Sequence, residues 1–148
     1  MKNSCCQGGK RKDDWKDRGP DPMVIDPAQM ANRNPFSRRA VWTGEYLQMT
    51  VMSIPVGSDI GKEIHPDTDQ YIFVSHGVAL AEMGEEKDCV TFRSRATRGK
   101  AIFVPAGTWH NVKNIGPGVL KLYTLYAPPH HPAGTLHRTK KDAQEQEY

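Results

Sequence analysis

Cysteine is scarce in this chain and its number is odd: Cys5, Cys6 and Cys89. An odd count argues against a disulfide framework and for a reducing compartment. Long apolar runs are missing as well, so no membrane-spanning helix and no membrane partner are expected. The first 20 residues hold no apolar stretch of the kind a secretory signal needs, which leaves the cytoplasm as the expected location. A Gly-rich phosphate loop, a CxxC pair, a Ser/His/Asp arrangement and a long internal repeat are all absent.

A strong charge bias is lacking too. The net charge is +3, and the whole excess falls within residues 1–20, where six Lys and Arg face three Asp. The rest of the chain is balanced, which argues against nucleic acid as a partner of the folded part. Residues 1–21, rich in Gly, Lys and Asp, read as a disordered basic leader, and residues 22–148 as a single domain.

What is present reads mostly as short strands. Ala40–Trp42, Tyr46–Ile54, Ile60–His65, Tyr71–Val74, Ala79–Met83, Val90–Arg93, Ala101–Val104, His110–Asn114 and Val119–Tyr126 are β-prone runs separated by Gly, Pro, Asp or Asn. Met23–Ile25 reads as a short edge strand. Such spacing without intervening helical periodicity predicts a β-sandwich or barrel. Two short helices flank it. Asp26 followed by Pro27 is an N-cap with Pro at the first helical position, and Asn34–Pro35 closes that helix. Near the other end, Thr139 with Asp142 three residues on makes a capping signal.

Two segments carry the chemistry. Gly99 to Asn114 is an apolar run, a Pro105-Ala-Gly107 turn and then His110. Gly61 to Gly77 has a similar strand-turn-strand grammar and holds Glu63, His65 and Gln70. Glu63 and His65 are two apart, so on a strand they share one face. Gln70 begins the returning run. One carboxylate, two imidazoles and an amide oxygen can therefore line a barrel interior, where unsatisfied polar groups are costly and a divalent cation would satisfy them together. Without a thiolate, the set suits Fe(II), Mn(II), Ni(II) or Zn(II).

These two segments resemble the two motifs of the cupin superfamily. The second matches G-x5-P-x-G-x2-H-x3-N at Gly99, Pro105, Gly107, His110 and Asn114. The first is a variant of G-x5-H-x-H-x3/4-E-x6-G, with Glu63 in place of the first His, His65 as the second, Gln70 in place of the Glu and Gly77 as the closing Gly. Residues 40–127 carry the likeness. The His65-Pro66-x-x-Asp69-Gln70 run and the Tyr126-Ala-Pro-Pro129 tail are similar to those of small bacterial cupins described as mannose-6-phosphate-isomerase-like. The resemblance implies an all-β double-stranded β-helix, or jelly-roll, barrel and a homodimer.

The expected function is a small metal-binding cupin acting on a small polar metabolite, by oxygenation or sugar isomerase-type chemistry. The alternative is a non-catalytic module that binds a sugar or small acid. Glu63 is the candidate base. Tyr46, Tyr71, Phe73 and Tyr123 are candidates for the substrate pocket. His130, His131 and His137 read as a Pro-rich loop packing on the barrel rim, and Arg93, Arg95 and Arg98 as a solvated strand face.

Overall fold

A computed structural model describes residues 16–146. Cys5, Cys6 and the leader up to residue 15 lie outside these described residues. Residues 17–21 run against the barrel. Arg18 N–H donates to Val41 O at 3.1 Å, Asp17 accepts from Gly134 N–H at 3.0 Å, and the Trp42 indole donates to Asp21 O at 2.7 Å.

The first helix, α1 (Pro27–Arg33), begins as the sequence predicts: the Asp26 side chain accepts from Gln29 N–H, Pro27 opens the first turn, and Asn34 caps the end. The strands that follow are β1 (Arg38–Thr43), β2 (Gln48–Ile54), β3 (Asp69–His76), β4 (Val78–Gly84), β5 (Phe92–Thr97), β6 (Ala101–Val104), β7 (Trp109–Asn114), β8 (Leu120–Ala127) and β9 (Leu136–His137). The last helix, α2 (Lys140–Glu145), is opened by a full capping box between Thr139 and Asp142.

All pairings are antiparallel. One sheet has six strands in the order β6-β3-β8-β2-β1-β9, and the other has three in the order β5-β4-β7. Strand parity explains why the two sheets close on each other. Along β8, Leu120, Leu122, Thr124 and Tyr126 are buried while Lys121, Tyr123 and Leu125 are half-buried. The inward set joins Met52, Ile54, Ile72, Val74, Ala79, Ala81, Val104 and Val112 in a core between the sheets. Each fully buried Leu, Ile or Val there contributes roughly 1.5–3 kcal/mol. A second cluster, with Ala31, Val41, Met49 and Val51 at its centre, seats α1 on the outer face of the large sheet. No helix among the described residues is long and apolar enough to cross a membrane.

Three local expectations need correction, and one short strand is unforeseen. Met23–Ile25 forms no strand. Ile60–His65 is not a continuous strand: Gly61, with φ +88°, interrupts it, leaving single bridges from Asp59 to Lys113 and from Glu63 to His110. The expected strand at Val90–Arg93 lies later, at Phe92–Thr97, because a tight bridge between Glu86 and Cys89 occupies the preceding residues. The short β9 had no β-prone signal at all; it is held by its pairing to Arg38 and Arg39.

Candidate metal centre

The two motif segments meet through their backbones. Glu63 N–H donates to His110 O and His110 N–H to Glu63 O, both at 2.9 Å. The turn before β7 carries Gly107 at φ +75°, a conformation that favours glycine, and its N–H donates to His65 O at 2.9 Å. One segment is thus fixed to the other at both Glu63 and His65. The two-residue offset puts both side chains on the face that looks at His110.

The side chains converge as the spacing predicts. Glu63 Oε2 lies 3.4 Å from His65 Nε2 and 3.9 Å from His110 Nε2, and one donor atom from each of the three lies within 4.8 Å of the others. His65 and His110 are 4% and 2% exposed. His110 Nδ1 faces Thr108 O at 3.0 Å. A carbonyl can only accept, so Nδ1 carries the proton and Nε2 presents a lone pair toward the carboxylate. That lone pair, Glu63 Oε2 and His65 Nε2 are all buried without a hydrogen-bond partner. Leaving such atoms unsatisfied costs about 1–3 kcal/mol each. A single cation bound at about 2.1 Å can bridge donors up to about 4.2 Å apart, and the two separations from Glu63 Oε2, 3.4 and 3.9 Å, fall within that reach. Two imidazoles and one carboxylate, with no thiolate, fit a first-row divalent metal.

Electrostatics hold the donors in the forms a metal needs. Burial pushes the Glu63 pKa up, but contact with His65 and the Arg38 charge outweigh it and bring the carboxyl down to about 2. Burial lowers the pKa of His110, which keeps the ring neutral. A carboxyl titrating near 2 stays ionised and is a weak proton acceptor. Glu63 is thus held as a carboxylate, the form in which it can donate to a cation. Gln70, on β3, is 3% exposed and faces the interior with Ile72 and Val74; its Oε1 is also buried without a hydrogen-bond partner.

The same parity moves the pocket aromatics elsewhere. Because Gln70, Ile72 and Val74 point inward, Tyr71 and Phe73 point out of the barrel, where Tyr71 meets Phe103 and Phe73 stacks on Tyr123 at 4.6 Å. Tyr123 packs with the cluster under α1. Tyr46 is 74% exposed in the β1–β2 turn. None of the four lines the cavity beside the donor cluster. His76 is exposed, and Arg93 pairs with Glu82 at 2.8 Å at the solvated strand face.

The cavity of about 340 Å³ is instead walled by Arg38, Glu63, His65, Trp109, His130 and residues of α2. His130 packs on His65 with ring centroids 4.0 Å apart, and His131 contacts the Tyr126 hydroxyl at 3.3 Å. Gln48, fully buried on β2, pins this segment: its amide donates to His131 O at 2.8 Å and its carbonyl accepts from His130 and His131 N–H at 3.2 and 3.0 Å. Burial and the neighbouring His65 hold the His130 pKa down at about 4, and burial with Arg38 holds His131 at about 2. The sequence placed these histidines at the barrel rim but not against the donors. The flanking prolines, Pro128, Pro129 and Pro132, were the available signal, since they stiffen a segment that must return to the barrel. Arg38 carried no signal beyond its chemistry: it is 3% exposed, and its Nη2 lies 3.4 Å from Glu63 Oε1.

The sequence matches the Cupin_2 family, described as a cupin domain, over residues 50–126. It is 48% identical over 128 residues to an uncharacterized protein, YrkC, of Bacillus subtilis (strain 168), covering 86% of this chain and 69% of that one. An uncharacterized protein of Acanthamoeba polyphaga mimivirus is 40% identical over 114 residues, covering 76% of this chain and 69% of its own. A crystal structure of a Bacillus halodurans protein superposes with a TM-score of 0.86 at 50% identity, covering 88% of this chain and 98% of that one.

Proposed function

This chain belongs to the cupin family, and we propose that it is a metal-dependent cupin acting on a small polar metabolite. Glu63, His65 and His110 hold a divalent ion of the Fe, Mn, Ni or Zn type, with Gln70 as a fourth donor. The observation that carries this reading is the meeting of the His110 Nε2 lone pair and the Glu63 carboxylate, 3.9 Å apart, with no proton donor between them. Arg38 meets Glu63 at Oε1, so the Oε2 side that faces the two imidazoles is where a divalent cation would be shared.

A divalent ion at this place supplies Lewis-acid polarisation of a bound oxygen or a lowered pKa for bound water. The chain's own residues do the rest. The Thr108 carbonyl fixes the His110 tautomer, and Arg38 orients the Glu63 carboxylate. His130, neutral at pH 7 and packed on His65, shields that ring from solvent at the cavity wall. Oxygenation and sugar isomerase-type chemistry are the two reactions this reading takes.

The test is metal analysis of protein purified without an affinity tag, followed by O2 consumption with candidate sugars and diols. One equivalent of metal per chain is the expected result. Protein that holds no metal from any of the four ions defeats the reading, and stoichiometric metal without turnover turns it into a binding module.

We also propose a cytoplasmic homodimer. Phe103, on the edge strand β6, is 71% exposed and Phe92 is 51% exposed, an apolar face that a second copy would cover. Sedimentation at micromolar concentration should give twice the chain mass of 16.6 kDa.

A further inference from the structure

The charge around the donor cluster points to the class of molecule that fills the cavity. Arg38 is a guanidinium 3% exposed, and its one carboxylate contact, to Glu63 Oε1, is long at 3.4 Å. Its Nε is buried without a hydrogen-bond partner, although the residue lines the cavity. The other cations at the cavity wall are already balanced: Lys62 pairs with Asp88 at 3.0 Å, and Lys140 pairs with Asp59. Glu63 is the sole carboxylate among the described residues that line the cavity. Without an ion, Arg38 and Glu63 cancel. With a divalent ion the same spot carries two uncompensated positive charges in a largely buried place, which is costly until an anion enters.

We infer that the cavity takes a small organic carboxylate, held by the Arg38 guanidinium beside the donor cluster. This rests on the metal reading above and names its substrate class. A planar guanidinium matches a carboxylate through two parallel N–H donors, which a point charge such as lysine cannot reproduce. The volume of about 340 Å³ is at the small end for ligand pockets and suits a metabolite of a few carbons. Coupling between the two ligands follows. The ion makes the site attractive to the anion, so the anion must strengthen binding of the ion by the same factor.

The full chain is titrated with Zn2+ by chelator competition, alone and with glycolate or its neutral amide glycolamide, correcting for the weak complex of glycolate with free Zn2+. Glycolate is expected to tighten Zn2+ binding about tenfold, and glycolamide to leave it unchanged. Arg38→Gln should abolish the glycolate effect. Arg38→Lys, which keeps the charge if the buried Gln variant fails to fold, should lose most of it. Equal effects of glycolate and glycolamide, or an undiminished glycolate effect in Arg38→Lys, overturn the inference while leaving the metal reading intact. Tightening by inorganic phosphate but not by glycolate overturns it in favour of a phosphoryl ligand. Absence of binding by Zn2+, and by Fe2+, Mn2+ and Ni2+ titrated in the same way, overturns the metal reading, and this inference with it.

Discussion

Glu63 and His110 are joined twice. Their backbones exchange two hydrogen bonds of 2.9 Å, and their side chains bring Oε2 and Nε2 to 3.9 Å with no proton between them. The first link belongs to the fold and the second to the site, so the two can be separated by mutation.

His110→Ala removes a donor and leaves the backbone pair in place. The barrel should stay folded by circular dichroism, while metal affinity falls by more than about 100-fold, beyond the loss typical of a residue that only supports a ligand. Unchanged metal content in this variant would remove His110 from the site.

Gln48 is a structural prediction of a different kind. Its amide makes three bonds to the His130–His131 backbone and donates a fourth to Thr43 Oγ1 at 3.1 Å. Gln48→Ala should cost about 2–4 kcal/mol in denaturant unfolding, because buried backbone donors and acceptors lose their partner and a void remains. Proteolysis should then cut near His130 first. A loss below about 0.5 kcal/mol would show that the segment is held by something else.

Stability of the metal-free protein should fall as pH drops below about 6.5. His131 and His130 are neutral in the fold, with pKa values held at about 2 and about 4, while the unfolded chain protonates near the ordinary imidazole value of 6.5. The unfolded state therefore binds more protons between the two values. The stability these groups contribute is complete above 6.5 and is lost on acidification toward their folded pKa values, at up to about 1.4 kcal/mol per pH unit for each proton. Glu63, lowered from 4.5 to about 2, adds a loss below 4.5 of the same sign. Urea unfolding across pH 7.5 to 4.5 measures the slope, and His131→Gln should flatten it. A flat wild-type profile in that window would contradict the burial of these rings.

Much of this arrangement was legible in the sequence. Pro105, Gly107, His110 and Asn114 sit at offsets that make one turn and one strand, and the structure gives Gly107, His110 and Asn114 each a task. Gly107 bonds the segment of His65, and Asn114 ties the β7–β8 turn by donating to Ile54 O and Gly118 O at 3.0 and 2.9 Å. The alternation that placed Glu63 beside His65 held even though the segment is not a full strand, because one bridge to His110 sets its face. Arg38, Gln48 and His130 were not legible in this way. They reach the site through long-range pairing of β1, β2 and the returning loop, and a side chain's role there depends on neighbours 25 or more residues away. The outer-face aromatics Tyr71 and Phe73 went astray for a simpler reason: an aromatic strand residue looks the same on either face until the parity of Gln70 is known.

Asn114→Ala tests the division between fold and site from the other side. The buried amide makes two donor bonds and its oxygen accepts from Gly116 N–H at 3.0 Å. Its loss should cost about 2–3 kcal/mol of stability, yet the folded fraction should bind metal with unchanged stoichiometry.

Anomalous diffraction at the absorption edge of the bound metal is the most direct measurement. One peak per chain is expected within bonding distance, about 2.0–2.2 Å, of His65 Nε2, His110 Nε2 and a Glu63 carboxylate oxygen. A metal-loaded crystal whose peak lies away from these three side chains would contradict that placement.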